Sequence, residues 1–227
     1  MRWVGGLDAG LGFRSFDVRA MVKVEPKTTA LLVMDCQNDI IHEEGGLAPW
    51  GFAAQVKERN LVGSIKGAIA ASRQARIPVI YVTVVYRRDR LDVVENCGFF
   101  SAVKGIPVLE EGSWGAAIHD ELRPQPEDLL VVKKRISAFA GTPLELLLRS
   151  LGRTTLVLTG VATNFVIEGT ARDACDAGYQ VIILEDCCAA GSEEMHRFSV
   201  EKILPHLAMI AGSKDWIGLV RGLPPSD

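Results

Sequence analysis

Short apolar runs alternate along this chain with longer stretches whose apolar positions recur every three or four residues. The runs cover residues 30–34, 79–85, 129–132, 155–159, 181–184 and 207–210. They are continuous rather than alternating in polarity, as expected of parallel strands covered by helices on both faces. The intervening stretches 53–75, 143–151, 165–177 and 193–204 read as helices, with Gly178 as a stop signal after the third. This rhythm predicts right-handed crossovers and a doubly wound α/β sheet, with ligands bound beyond the carboxyl ends of the strands. The connection 86–112 is too long for an ordinary loop. It reads either as a cover for the site or as a solvated, oligomer-facing excursion.

A chain of 227 residues suits one well-filled core, and residues 21–227 are read as a single domain. Residues 1–20 are glycine-rich without sustained period and read as an N-terminal extension. It is either a lead-in before an effective start at Met21 or an arm on a neighbouring subunit, since Trp3, Phe13 and Phe16 are costly in water. Apolar residues at 48% and charged residues at 23% describe an ordinary globular protein, and a net charge of −3 points to no nucleic acid. No window approaches the ~18 apolar residues of a membrane span, and no basic-then-apolar leader opens the chain, so a cytoplasmic location is expected.

The five cysteines, Cys36, Cys97, Cys175, Cys187 and Cys188, have neither the density of a disulfide framework nor paired metal-ligand spacing. The histidines His42, His119, His196 and His206 lack the spacing that puts two imidazoles on one helical face. Reduced thiols, no metal and no cofactor are expected.

Three segments carry candidate chemistry. Asp35 closes the first strand in LLVMDCQNDI, where poor solvation raises a carboxyl towards a useful proton carrier. A turn or helix cap is the competing role, and Asn38 and Asp39 share that ambiguity. In VVKKRISAFAGTPLE, Lys133 or Lys134 can hold a buried carboxylate ionised, and strand alternation keeps Lys133, Lys134 and Arg135 from all serving one pocket. In LVLTGVATNFVIEGTARDA, a strand meets Gly160 and a Thr-Asn pair before a helix whose free amides can receive an anion. Phe139 and Asn38 are further pocket candidates.

Taken in order, LLVMDCQND, KKRISAFAGTPLELLLRSLG and TGVATNFVIEGTARDACDAGYQVIILEDCCAA resemble the isochorismatase-like, or cysteine hydrolase, family. That family includes isochorismatases, nicotinamidases, N-carbamoylsarcosine amidase and ureidoacrylate amidohydrolases. The resemblance covers the chain from Pro26 to about Ile217. It implies a three-layer α/β/α fold with a six-stranded parallel sheet, assembly as homodimers or homotetramers, and an Asp-Lys-Cys triad acting on a small molecule. Asp35 matches the family aspartate, Lys133 the lysine, and Val161-Ala162 a peptide bond that is typically cis, with Thr163 continuing an oxyanion turn. The family cysteine falls on Val166, which cannot attack a carbonyl.

Three functions follow from that departure. True isochorismatases also lack the cysteine and protonate a vinyl ether through the aspartate, a role Asp35 with Lys133 can fill. The second is an amidase-type cysteine hydrolase whose nucleophile has been replaced. The third is a homologue that binds a small molecule or partner without turnover.

Overall fold

The computed structural model describes residues 24–223, so the extension expected over residues 1–20 lies outside the described residues. Six strands, β1 (Thr29–Met34), β2 (Val79–Val84), β3 (Leu129–Lys133), β4 (Thr155–Val161), β5 (Gln180–Ala189) and β6 (Met209–Ala211), form one sheet in the order β3-β2-β1-β4-β5-β6. Every pairing is parallel. The α-helices are α1 (Asn38–Ile41), α2 (Phe52–Glu58), α3 (Leu61–Gln74), α4 (Gly98–Lys104), α5 (Leu144–Ser150), α6 (Glu168–Asp176), α7 (Glu193–Phe198) and α8 (Ser213–Arg221). None of the described helices is long and apolar enough to cross a membrane.

Alternate residues of each central strand feed opposite faces of the sheet. Leu31, Val33, Tyr81, Val157 and Ile182 pack with Ile65 and Ile69 of α3 and Trp216 of α8. Leu32, Met34, Val82, Leu156 and Leu158 pack on the other face with Leu144 and Leu148 of α5 and Ala171 and Ala174 of α6. Both faces of β1 and β4 are therefore sealed, which explains their unbroken apolar sequences. Each fully buried aliphatic side chain contributes about 1.5–3 kcal/mol, so the two layers together fix the sheet from both sides.

Several boundaries differ from the sequence pattern for local reasons. The helix expected over 53–75 divides between α2 and α3 because Asn60 adopts a left-handed conformation, φ 50°, which Asn tolerates better than most residues. The helix expected over 193–204 ends as α7, widens into the π-helical turn Ser199–Ile203 and closes at Leu204–His206, where Pro205 cannot continue the ladder. Strand β3 lies at the sheet edge, where Leu130 and Val132 are 59% and 44% exposed, so its apolar run is covered on one face only. The last strand begins at Met209 rather than 207, and β5 runs on past 184 to Ala189. Helices α4 and α8 had no clear signal in the apolar pattern.

Connections leave β1 towards one edge of the sheet and β4 towards the other, so the topology switches between these two adjacent strands. Gly160 permits their closeness at that point. Its φ is 128°, and a methyl group there would lie 1.9 Å from the Met34 carbonyl oxygen. Gly160→Ala is therefore expected to cost about 3 kcal/mol through overpacking and backbone strain. Urea denaturation measures this loss; wild-type stability in the variant would mean that β1 and β4 can part at no cost.

Candidate active site

Asp35 follows the last residue of β1 and is itself in the left-handed region, φ 56°. Its backbone amide donates to the Val82 carbonyl at 2.8 Å, so the turn is pinned to β2. Lys133 reaches from the end of β3 across β2, and its Nζ lies 2.9 Å from Asp35 Oδ2. Both side chains are buried, at 7% and 3% exposure. Lys133 Nζ also donates to the Arg135 carbonyl at 2.9 Å. Asp35 Oδ1 is left buried and without a hydrogen-bond partner. Burial pushes the Asp35 carboxyl above its ordinary range, although Lys133 pulls it down.

The pair forms one side of a cavity of about 50 Å³ beyond the carboxyl ends of the strands, room for a few waters or one compact ligand. Opposite stand Val161, Ala162 and Val166. The Val161–Ala162 peptide is cis, and the chain then enters the π-helical turn Thr163–Ile167 ahead of α6. Aromatic rings complete the walls. Phe99 of α4 lies 4.9 Å from Phe165 at 33°, and 6.0 Å from Trp50. Tyr86 is a further wall residue, and burial pushes its phenol up to about 12, so it stays a proton donor at neutral pH.

The connection 86–112, read from sequence as cover or excursion, thus supplies Tyr86, Phe99, Val103 and Leu109 to the cavity. Asp39 ties it down: Oδ2 accepts from the Leu109 amide at 2.6 Å and Oδ1 from the Gly46 amide at 3.0 Å. Asp39 is a staple for the wall. Lys134 points away to Asp92 at 2.7 Å, as alternation along the strand requires.

Three expected site residues lie elsewhere. The Asn38 side-chain amide donates to the Trp114 carbonyl at 2.9 Å, and Asn38 does not line the cavity. The Phe139 ring packs 5.8 Å from Tyr179 in the apolar layer on the α6 face, so it too is outside. Thr163 is fully buried with Oγ1 hydrogen-bonded to His196 Nδ1 at 2.8 Å. Sequence spacing offered no signal for His196, which stands 3.6 Å from Glu185 through Nε2, nor for Trp50. Arg135, which was kept only from serving one pocket together with both lysines, lines the cavity with Lys133.

None of the cavity-lining residues is a cysteine. Cys36, Cys187 and Cys188 are buried in the packed interior, and burial holds their thiols well above the ordinary range. Cys175, in the last turn of α6 at the end away from the cavity, donates to the Leu207 carbonyl at 2.9 Å.

Residues 29–215 match the isochorismatase domain family. The chain belongs to the isochorismatase family. Its relatives include the isochorismatase-family protein YecD of Escherichia coli O157:H7, 35% identical over 190 residues, spanning 84% of this chain and 95% of YecD. The ureidoacrylate amidohydrolase RutB of Methylobacterium radiotolerans is 34% identical over 195 residues, 80% of this chain and 75% of RutB. Among solved structures, N-carbamoylsarcosine amidase from Thermoplasma acidophilum superposes with a TM-score of 0.66 at 28% identity, covering 82% of this chain and 96% of that one. The α/β fold and the family's hydrolase character are thus shared across isochorismatase-family relatives.

Because folding favours a protonated Asp35, ionising it costs stability as pH rises from the ordinary carboxylate value through its own raised one. Lys133 opposes that cost. Lys133→Met is expected to lose about 3–5 kcal/mol at pH 7.5 by leaving a buried charge unpaired. The deficit shrinks towards pH 4, where Asp35 takes up a proton. Urea denaturation at both pH values checks this, and a pH-independent deficit would show that the charge of Asp35 is not its source.

Proposed function

We propose that the protein hydrolyses a small molecule by acid catalysis, with Asp35 as proton donor, Lys133 as its electrostatic partner and no cysteine nucleophile. The observation that carries this reading is a buried carboxyl, raised by desolvation, with one oxygen held by Lys133 and the other unpartnered beside a cavity that no thiol lines. A protonated Asp35 transfers its proton to the terminal carbon of a vinyl ether or a related acid-labile group. Water adds to the resulting oxocarbenium carbon, and the hemiketal collapses to a carbonyl compound and an alcohol. Asp35, now a carboxylate stabilised by Lys133, recovers a proton from the attacking water. Val166, in the position that resemblance assigns to the family cysteine, occupies with its isopropyl group the space a thiol would need.

Isochorismate and a panel of small vinyl ethers and amides test this reading directly. Turnover is expected on a vinyl ether, at least about 100-fold slower in Asp35→Asn. In the wild type, kcat/KM falls with rising pH as Asp35 ionises, from an apparent pKa above the ordinary carboxylate value. Undiminished turnover in Asp35→Asn would sink the proposal.

A second reading is an amidase whose nucleophile has been replaced. Its support is the similarity to proteins named as an amidohydrolase and an amidase. Val166→Cys separates the two readings: new amide hydrolysis with a covalent acyl intermediate visible by mass spectrometry favours the second. Inertness of this variant towards every amide counts against it.

A further inference from the structure

The apolar wall opposite Asp35 is held from behind. Val161, Ala162, Phe165 and Val166 face the cavity, whereas Thr163 between them is fully buried, with its Oγ1 2.8 Å from Nδ1 of His196. His196 is itself buried on α7, a helix fixed at its start by the Ser192 hydroxyl, which accepts from the Met195 amide at 3.3 Å. Its Nε2 stands 3.6 Å from Glu185 Oε2 in β5. Arg59, just after α2, grips that carboxylate at 3.0 Å and donates to the Cys188 carbonyl at 3.1 Å. The His196 ring and Arg59 hold the Glu185 carboxyl below the usual carboxylate range, so a carboxylate faces Nε2 at neutral pH. That favours the proton of the neutral ring on Nε2 and leaves Nδ1 to accept from the Thr163 hydroxyl.

Carboxylate, imidazole and hydroxyl in this order describe an activated nucleophile, in a chain without the family cysteine. Thr163 cannot serve as one, because it is fully buried and does not line the cavity. The relay acts on the backbone instead. Ala162, which opens the π-helical turn, caps it with no side chain, so Thr163 is the first side chain able to anchor the turn. A buried hydroxyl and a buried imidazole each lose hydration unless they meet, and their bond fixes where the chain leaves β4. Behind it lies a polar groove lined by Arg59, Glu185, Glu193 and His196, so the clamp stands between solvent in that groove and the apolar wall. Resting on the reading of Asp35 as the acid of this site, we propose that His196 is a positioning residue. Through Thr163 it holds the Val161–Val166 wall closed on Asp35 and keeps the carboxyl dry.

Titrating the Asp35 carboxyl by carbon NMR, with Asp35→Asn to assign the resonance, reads that dryness without any substrate. His196→Leu fills the space but accepts no hydrogen bond, and Thr163→Val keeps the shape but offers no hydroxyl. In both, Asp35 is expected to titrate closer to the ordinary carboxylate value than in the wild type. Hydrogen exchange at the Val166 and Ile167 amides should quicken about ten-fold or more in both. Thr163→Ser, which keeps the hydroxyl, should follow the wild type in both measurements. Circular dichroism confirms that the variants fold, and if His196→Leu does not, the two Thr163 variants decide alone. A wild-type Asp35 titration in folded Thr163→Val, unchanged exchange there, or an equal change in Thr163→Ser would each overturn the proposal. A failure of the acid-catalysis reading appears in turnover, which neither measurement uses.

Discussion

The ion pair between Asp35 and Lys133 draws the architecture of the site together. It spans three adjacent strands, because the lysine at the end of β3 must pass β2 to reach a carboxylate beyond β1. Burying two charges is unfavourable unless both are held at hydrogen-bonding distance, so the pair demands correct register across all three strands. The apolar layers on the two faces supply that register. The Asp35 turn, pinned through its amide to Val82, then delivers one carboxylate oxygen to the lysine and leaves the other beside the cavity.

The opposite wall comes from the other half of the sheet. At the switch between β1 and β4, a glycine lets β4 pass against the Met34 carbonyl, and the chain turns through Val161, Ala162 and Val166. The site is thus a seam between two half-sheets: charge from the β1 side, apolar surface from the β4 side, and aromatic rings from the excursion above. This division gives Asp35 dry surroundings, which raise the cost of its charge and keep it protonated to higher pH than an exposed carboxyl.

Much of this was legible in the sequence because burial on both faces erases polar alternation, and unbroken apolar runs survive as a signal in β1, β2, β4 and β5. Asp35 and the pair Lys133 and Lys134 were legible as polar residues ending such runs, and the family resemblance chose Lys133 between the two. What escaped had no periodic trace. Asn60 breaks a helix through a single backbone conformation, and the exposed face of β3 depends on which strand ends at the sheet edge. Phe139 and Asn38 looked like pocket residues from their neighbours in sequence, but their partners, Tyr179 and the Trp114 carbonyl, are brought by distant segments. Alternation kept Lys133, Lys134 and Arg135 from all serving one pocket, and it is Lys134 that turns away, to Asp92, while Lys133 and Arg135 line the cavity.

Asp39 grips the excursion through the backbone amide of Leu109, and braces its own segment through that of Gly46, not through side chains. At Leu109 the donor is the backbone, so the bond does not depend on the side chain it carries. The excursion can therefore exchange its aromatic side chains for others while its anchorage to the segment after β1 stays intact. Such an arrangement separates the inheritance of shape from the inheritance of selectivity: lineages can retool what the cavity admits by rewriting one loop, without renegotiating the sheet that holds the acid.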